Sequence, residues 1–210
     1  MKIGVIDYGM GNLFSVVQAL NKLDAEVILS SRTEELSEAD ALILPGVGAF
    51  PDAMKKLKET GLDQFIRNEV KNSKPLLGIC LGMQLLFEES EEVAPTKGFG
   101  FFEGKIVRFS GISEQGEKYR VPHMGWNSLI FHTIPKWLEG EEMPEDKHVY
   151  FVHSYYANTT SSQVVAFADY FGVNVPGIVQ SGNVCGMQFH PEKSGEFGVY
   201  LLKKWLQGVN

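Results

Sequence analysis

Two short segments carry the residue types from which a covalent hydrolase can be built. One is Gly78-Ile79-Cys80-Leu81-Gly82, a cysteine framed by glycines; the other is Gln188-Phe189-His190-Pro191-Glu192. A thiol attacks as its thiolate and needs a base within reach. His190 is the natural base. Glu192 stands two residues on, and in extended chain such positions face one side. Pro191 keeps the intervening segment stiff. Glu192 then holds one imidazole nitrogen while the other faces Cys80, which is the nucleophile, base and orienter order of a triad. A His-Pro-Glu by itself is weak, and a buried cysteine is usually a small hydrophobe. It is their conjunction that points to chemistry. Cys185 has no glycine frame and reads as core.

These residues need elements to place them. The apolar run over 74–79, opened by Pro75, predicts a buried strand, and 81–89 predicts a helix. Cys80 thus falls at a strand-to-helix elbow, where small neighbours are required and free amides with a positive dipole end favour an anion. Further strands are predicted over 3–7, 27–29 and 41–44, with helices over 12–23, 52–59 and 62–71. Strands interleaved with helices predict an α/β fold, a mostly parallel central sheet with helices on both faces. From 99 onward the pattern changes. Strands over 99–109, 127–131, 149–155, 164–168, 178–180 and 184–189 follow with few helices between them. Ser181-Gly182-Asn183 makes a hairpin turn, and a helix over 196–207 closes the chain. This half predicts an antiparallel extension that returns to the main sheet. Residues 139–147 are acidic, carry Pro144, and read as an exposed loop. With no repeat or linker, 1–210 is expected to be one domain.

Two glycine segments compete for a functional role. Pro45-Gly46-Val47-Gly48-Ala49-Phe50 follows a strand. A Val-Gly peptide flips cheaply, because glycine accepts positive φ. The Gly48 amide, with that of Leu81, then becomes an oxyanion donor. Asp7-Tyr8-Gly9-Met10-Gly11-Asn12 lacks the third glycine of a dinucleotide fingerprint, so it reads as a turn with Asn12 capping a helix. His123, His132, His148 and His153 show no metal spacing, and neither a metal nor another cofactor is expected.

A formal net charge of -7 argues against nucleic acid as a partner. No apolar run reaches the length of a membrane span. Asp7 comes too early for a signal peptide, and two cysteines suit a reducing, cytoplasmic setting rather than a disulfide scaffold.

With these residues in hand, the whole chain resembles the class I glutamine amidotransferases. The narrower likeness is to glutaminase subunits of imidazole glycerol phosphate synthases, of histidine biosynthesis. It is carried by the 7–12 segment, by Leu44-Pro45-Gly46-Val47-Gly48-Ala49-Phe50, by Pro122-His123-Met124-Gly125-Trp126-Asn127 and by Phe151-Val152-His153-Ser154-Tyr155-Tyr156. The resemblance implies that Cys80, His190 and Glu192 hydrolyse glutamine through a cysteinyl thioester. It places Gln84, Glu92, Ser154 and Tyr155 around that glutamine. It implies a heterodimer with a cyclase subunit of (β/α)8 barrel fold. That subunit would receive the ammonia and form imidazole glycerol phosphate and aminoimidazole carboxamide ribotide. Trp126 and Lys193 are the expected docking residues. The alternatives are the glutaminase subunit of another ammonia-channelling synthase, or an inactive regulatory relative.

Overall fold

A computed structural model describes residues 1–209. The first half alternates strand and helix, with α2 the one helix that was not expected: β1 (Lys2–Ile6), α1 (Leu13–Lys22), β2 (Glu26–Ser30), α2 (Thr33–Ser37), β3 (Ala41–Gly46), α3 (Phe50–Glu59), α4 (Leu62–Lys71) and β4 (Leu76–Cys80). A short helix α5 (Leu81–Leu85) leads to β5 (Phe87–Ser90), β6 (Thr96–Lys97), β7 (Phe102–Arg108), β8 (His123–Ser128) and β9 (Ile130–Phe131). Then come β10 (His148–His153), β11 (Tyr155–Asn158), β12 (Val164–Tyr170), β13 (Val173–Ser181), β14 (Val184–Met187) and α6 (Gly195–Gly208).

Among the described residues the main sheet has eight strands, in the order β2-β1-β3-β4-β14-β13-β12-β9. β2, β1, β3, β4 and β14 run parallel, and β13, β12 and β9 continue the sheet antiparallel. The fold is therefore α/β, with the mostly parallel centre and antiparallel extension that the sequence pattern predicts. Every residue of β3 and β4 is buried, as unbroken apolar runs require when both faces are covered. Ile43, Leu77 and Ile79 pack on one face with Val16 and Leu20 of α1 and Leu201 and Trp205 of α6. Leu42, Leu44 and Leu76 pack on the other with Met54 and Leu57 of α3 and Ile66 of α4. Truncating one such leucine to alanine costs about 2–5 kcal/mol. Asn12 caps α1, its side-chain oxygen accepting from the Ser15 amide at 3.4 Å. Among the described residues no helix is long and apolar enough to cross a membrane.

The elements after Cys80 depart from expectation, and the predicted strand over 149–155 is divided between β10 and β11. The helix after Cys80 ends at Leu85 instead of running to 89. Phe87 is buried against Phe102, ring centroids 5.3 Å apart, and β5 pairs parallel with β7. A partner strand distant in sequence thus overrides the local helical preference of Leu-Phe-Glu-Glu. Residues 127–131 are not one strand. The chain breaks at Leu129, β8 pairing with β10 while β9 joins β12. The antiparallel half does not all return to the main sheet either. β10-β8 forms its own two-stranded sheet, and β11-β7-β5-β6 a four-stranded one.

Register brings the chemistry to one edge. Gly46 at the end of β3 sits beside Cys80 at the end of β4. Met187 ends β14 opposite Ile79, so the following Gln188-Phe189-His190 emerges next to the cysteine. Sites in open α/β sheets lie at these carboxyl ends.

Candidate active site

Cys80 is the last residue of β4 and the N-cap of α5, with φ 56° and ψ -112°. A non-glycine residue held there carries about 1–3 kcal/mol of backbone strain. The flanking glycines are required by close approach. A Cβ on Gly82 would collide with the Leu44 carbonyl, and one on Gly78 would come within 2.7 Å of the Gly82 carbonyl. The Gly-x-Cys-x-Gly frame is thus the imprint of β3, β4 and α5 crowding at the elbow.

His190 leaves β14 in extended conformation and is 3% exposed. Its Nδ1 lies 2.8 Å from Glu192 Oε1. Two anchors hold the segment. The His190 amide donates to the Tyr150 carbonyl at 3.1 Å, and Ser194 Oγ donates to the His190 carbonyl at 2.6 Å. Burial alone would lower the His190 pKa. Hydrogen bonds and charge from Cys80 and Glu192 outweigh it and push the value up to about 10. The imidazolium is thus the form that these two neighbours favour. Cys185, by contrast, is pushed up to about 12 by burial and stays an inert core thiol.

A cavity of about 390 Å³ opens over the elbow, and Cys80, Leu81 and His190 line it with Gly48. That volume suits a small polar metabolite. Gly48 has φ 107°, a conformation open to glycine, and Val47 beside it is exposed. Gln84, Glu92, Ser154 and Tyr155 line the same cavity. Every expected catalytic, oxyanion and glutamine residue but Glu192 therefore lines one cavity, and Glu192 stands behind it on His190. Gln84 Nε2 donates to the Tyr155 carbonyl at 2.9 Å and to Gln188 Oε1 at 3.0 Å, so its side chain is committed to the wall. Glu92 accepts from the Phe50 amide at 2.8 Å and caps the start of α3, where Ala49 offers no side-chain oxygen.

Trp126 and Lys193 lie outside the cavity lining. Trp126 projects from β8 with 58% of its surface exposed, which removes it from the core, and its ring approaches Gly195. Lys193 is exposed two residues before that glycine. Sequence reasoning missed several neighbours. Tyr8, buried beneath the elbow, has a hydroxyl with no hydrogen-bond partner among the described residues, and burial, then the charge of Cys80, raise its pKa. Pro122, Val152 and His153 complete the cavity. Tyr8, Pro122, Val152 and His153 all stood within the motifs. Nothing local marked them, since only the tertiary fold turns them to the cysteine. Among the described residues no cluster of His, Cys, Asp and Glu is arranged to hold a metal.

The model of the family "Glutamine amidotransferase class-I" matches residues 4–207. The imidazole glycerol phosphate synthase subunit HisH of Shouchella clausii (strain KSM-K16) is 57% identical over 207 residues, 99% of this chain and 98% of that one. The chain belongs to the class I glutamine amidotransferases, in the HisH family. Other HisH subunits agree. That of Geobacillus kaustophilus (strain HTA426) is 55% identical over 97% of this chain and 95% of its own. That of Bacillus subtilis (strain 168) is 52% identical over 97% and 94%. The amidotransferase fold also recurs at low identity. A solved structure described as PurLQS from Thermotoga maritima superposes with a TM-score of 0.75 at 21% identity, covering 100% of this chain and 99% of that one. As a glutamine amidotransferase, the chain acts on the side-chain amide of glutamine. Cys80 and His190, the expected nucleophile and base, line one cavity.

Proposed function

We propose that the chain is the glutaminase subunit of an imidazole glycerol phosphate synthase, working through Cys80, His190 and Glu192. The observation that carries this is the 2.8 Å His190–Glu192 contact beside a strained cysteine elbow in one cavity. The Cys80 thiolate attacks the amide carbon of glutamine. His190, held protonated by its two neighbours, gives its proton to the leaving ammonia. Water then attacks the glutamyl thioester with His190 as base, releasing glutamate and restoring the thiolate. Glu192 fixes the ring and its charge. The amides of Gly48 and Leu81 stabilise the tetrahedral intermediates. Gln84, Glu92, Ser154 and Tyr155 enclose the glutamine.

The ammonia passes to a cyclase subunit with a (β/α)8 barrel. There it enters the synthesis of imidazole glycerol phosphate and aminoimidazole carboxamide ribotide. Four exposed side chains support docking. Trp126 and Met124 are exposed at 58% and 53%, Val47 at 42%, and Lys193 adds an exposed cation. Aromatic anchors of this kind dominate interfaces. The test is Cys80→Ser in the complex reconstituted with the cyclase. Glutamine-dependent synthesis is lost, while synthesis from added ammonium persists. Equal loss with both nitrogen sources would refute the assignment of Cys80 to ammonia production.

A further inference from the structure

His123 and His153 are buried histidines that this mechanism leaves unused. They are 2% and 7% exposed and stand on adjacent strands, paired in register across β8 and β10. Their hydrogen bonds form a chain whose direction is fixed at both ends. Asn127 Nδ2 donates to the Asp169 carbonyl at 2.8 Å, and Asn127 Oδ1 accepts from the Ser128 amide at 2.8 Å, so the amide has one orientation. The remaining Nδ2 proton is directed at His123 Nε2, 3.3 Å away, and that nitrogen must accept. The His123 proton is therefore on Nδ1, which donates to His153 Nε2 at 3.2 Å. His153 then carries its own proton on Nδ1, which donates to the Tyr155 carbonyl at 2.7 Å. Starting from Tyr155, an acceptor that demands a donor, gives the same assignment. That carbonyl also receives Gln84 Nε2, whose other proton goes to Gln188.

We propose that His123 and His153 are positioning residues, a neutral one-way relay from β8 that fixes the Tyr155 carbonyl and the Gln84 amide against bound glutamine. The relay rests on the reading of the cavity over Cys80 as the glutamine pocket. A second proton on either ring would turn an acceptor nitrogen into a donor facing a donor and break the chain. The surroundings keep both rings neutral. His123 is stacked between Phe151 and Tyr170, at 4.6 Å and 4.0 Å, and His153 lies against Phe109 at 5.5 Å. Burial in this aromatic box lowers the pKa of His123 to about 4. Burial, then the charge on His123, lowers that of His153 to about 3, and proximity to His190 adds to it. β8 alternates, so His123 points inward while Met124 and Trp126 point outward. A displacement of β8 at its outer face is therefore transmitted to Tyr155 through two rings and no flexible side chain.

Two measurements on the whole chain test this. Long-range nitrogen-15 spectra at pH 7 should show both rings neutral with the proton on Nδ1. A ring with the proton on Nε2, or an imidazolium, overturns the relay, and no variant is needed for this reading. The second is inactivation by an electrophilic ketone analogue of glutamine that alkylates Cys80. His153→Phe should weaken the analogue's saturation constant about tenfold, the loss expected for one buried hydrogen bond, with a smaller change in the limiting rate. His153→Gln, whose carbonyl accepts and whose amide donates, should recover most of it. The pair His123→Phe and His123→Gln should split in the same sense. Phe and Gln variants with equal saturation constants, differing only in melting temperature, would make the histidines merely structural and overturn the proposal. A wild-type chain that the analogue does not label at Cys80 would sink the catalytic reading instead, and the tautomer spectrum would still decide the relay.

Discussion

Replacing Cys80 by alanine and by glycine separates the backbone strain of the elbow from the chemistry of the thiol. Both variants lose the sulfur and both are inactive toward glutamine. They differ only in whether a Cβ remains at φ 56° and ψ -112°. At an ordinary position Ala→Gly destabilises by about 0.4–1 kcal/mol, because glycine has more freedom to lose on folding. At Cys80 the alanine retains about 1–3 kcal/mol of strain that glycine does not have. The difference leaves Cys80→Gly more stable than Cys80→Ala by about 1 kcal/mol, so the usual sign is reversed. For a chain of 210 residues that is about 2–4 °C in melting temperature. Urea unfolding and a thermal melt of the two variants side by side give the comparison without any partner. An alanine variant more stable than the glycine variant by the ordinary margin would refute the strain argument. The glycine frame would then reflect crowding alone.

Acid should destabilise the fold through the histidine pair. An unfolded histidine titrates near 6.5, whereas His123 and His153 are held down at about 4 and about 3. The unfolded chain therefore binds protons that the native chain refuses. Stability is intact above about pH 6.5 and falls toward pH 4 by up to about 1.4 kcal/mol per pH unit for each ring. Urea midpoints across this range should show a shallower slope in His153→Gln. His190 works in the opposite direction. Its raised pKa lends stability that is complete below about 6.5 and is lost as pH rises toward about 10, so it does not mask the acid limb. Trp126→Ala should weaken association with the cyclase by about 2 kcal/mol or more by titration calorimetry, with the lone chain's melting temperature unchanged; unchanged affinity removes Trp126 from the interface. The isolated chain should be a poor glutaminase if the Val47-Gly48 peptide withholds one oxyanion donor. Partner plus acceptor should then raise turnover by about 10²- to 10³-fold, and a free chain already at full rate excludes that switch.

What could be read from the sequence was what short-range physics dictates. The elbow at Cys80 is legible because β3, β4 and α5 crowd so closely that only glycine fits at 78 and 82. His-Pro-Glu is legible because its geometry is set within three residues. The buried parallel strands announce themselves as unbroken apolar runs. The misread parts depend on partners distant in the chain. Phe87 leaves its helix for Phe102, and Leu129 divides one apolar stretch between two sheets. His123 and His153 show no metal spacing, and their link to each other exists only once β8 lies beside β10. Glu92, expected near glutamine, lines the cavity and also caps α3, a second task that its loop position did not reveal.

The proposed reaction stands on Cys80 opening glutamine as a covalent thioester. Rapid quenching of the chain with its cyclase, acceptor and glutamine, followed by peptide mass spectrometry, observes that step directly. A glutamyl adduct is expected on the peptide carrying Cys80, absent from Cys80→Ala along with glutamate release. Glutamate formation that survives Cys80→Ala, or an adduct on Cys185, would contradict it.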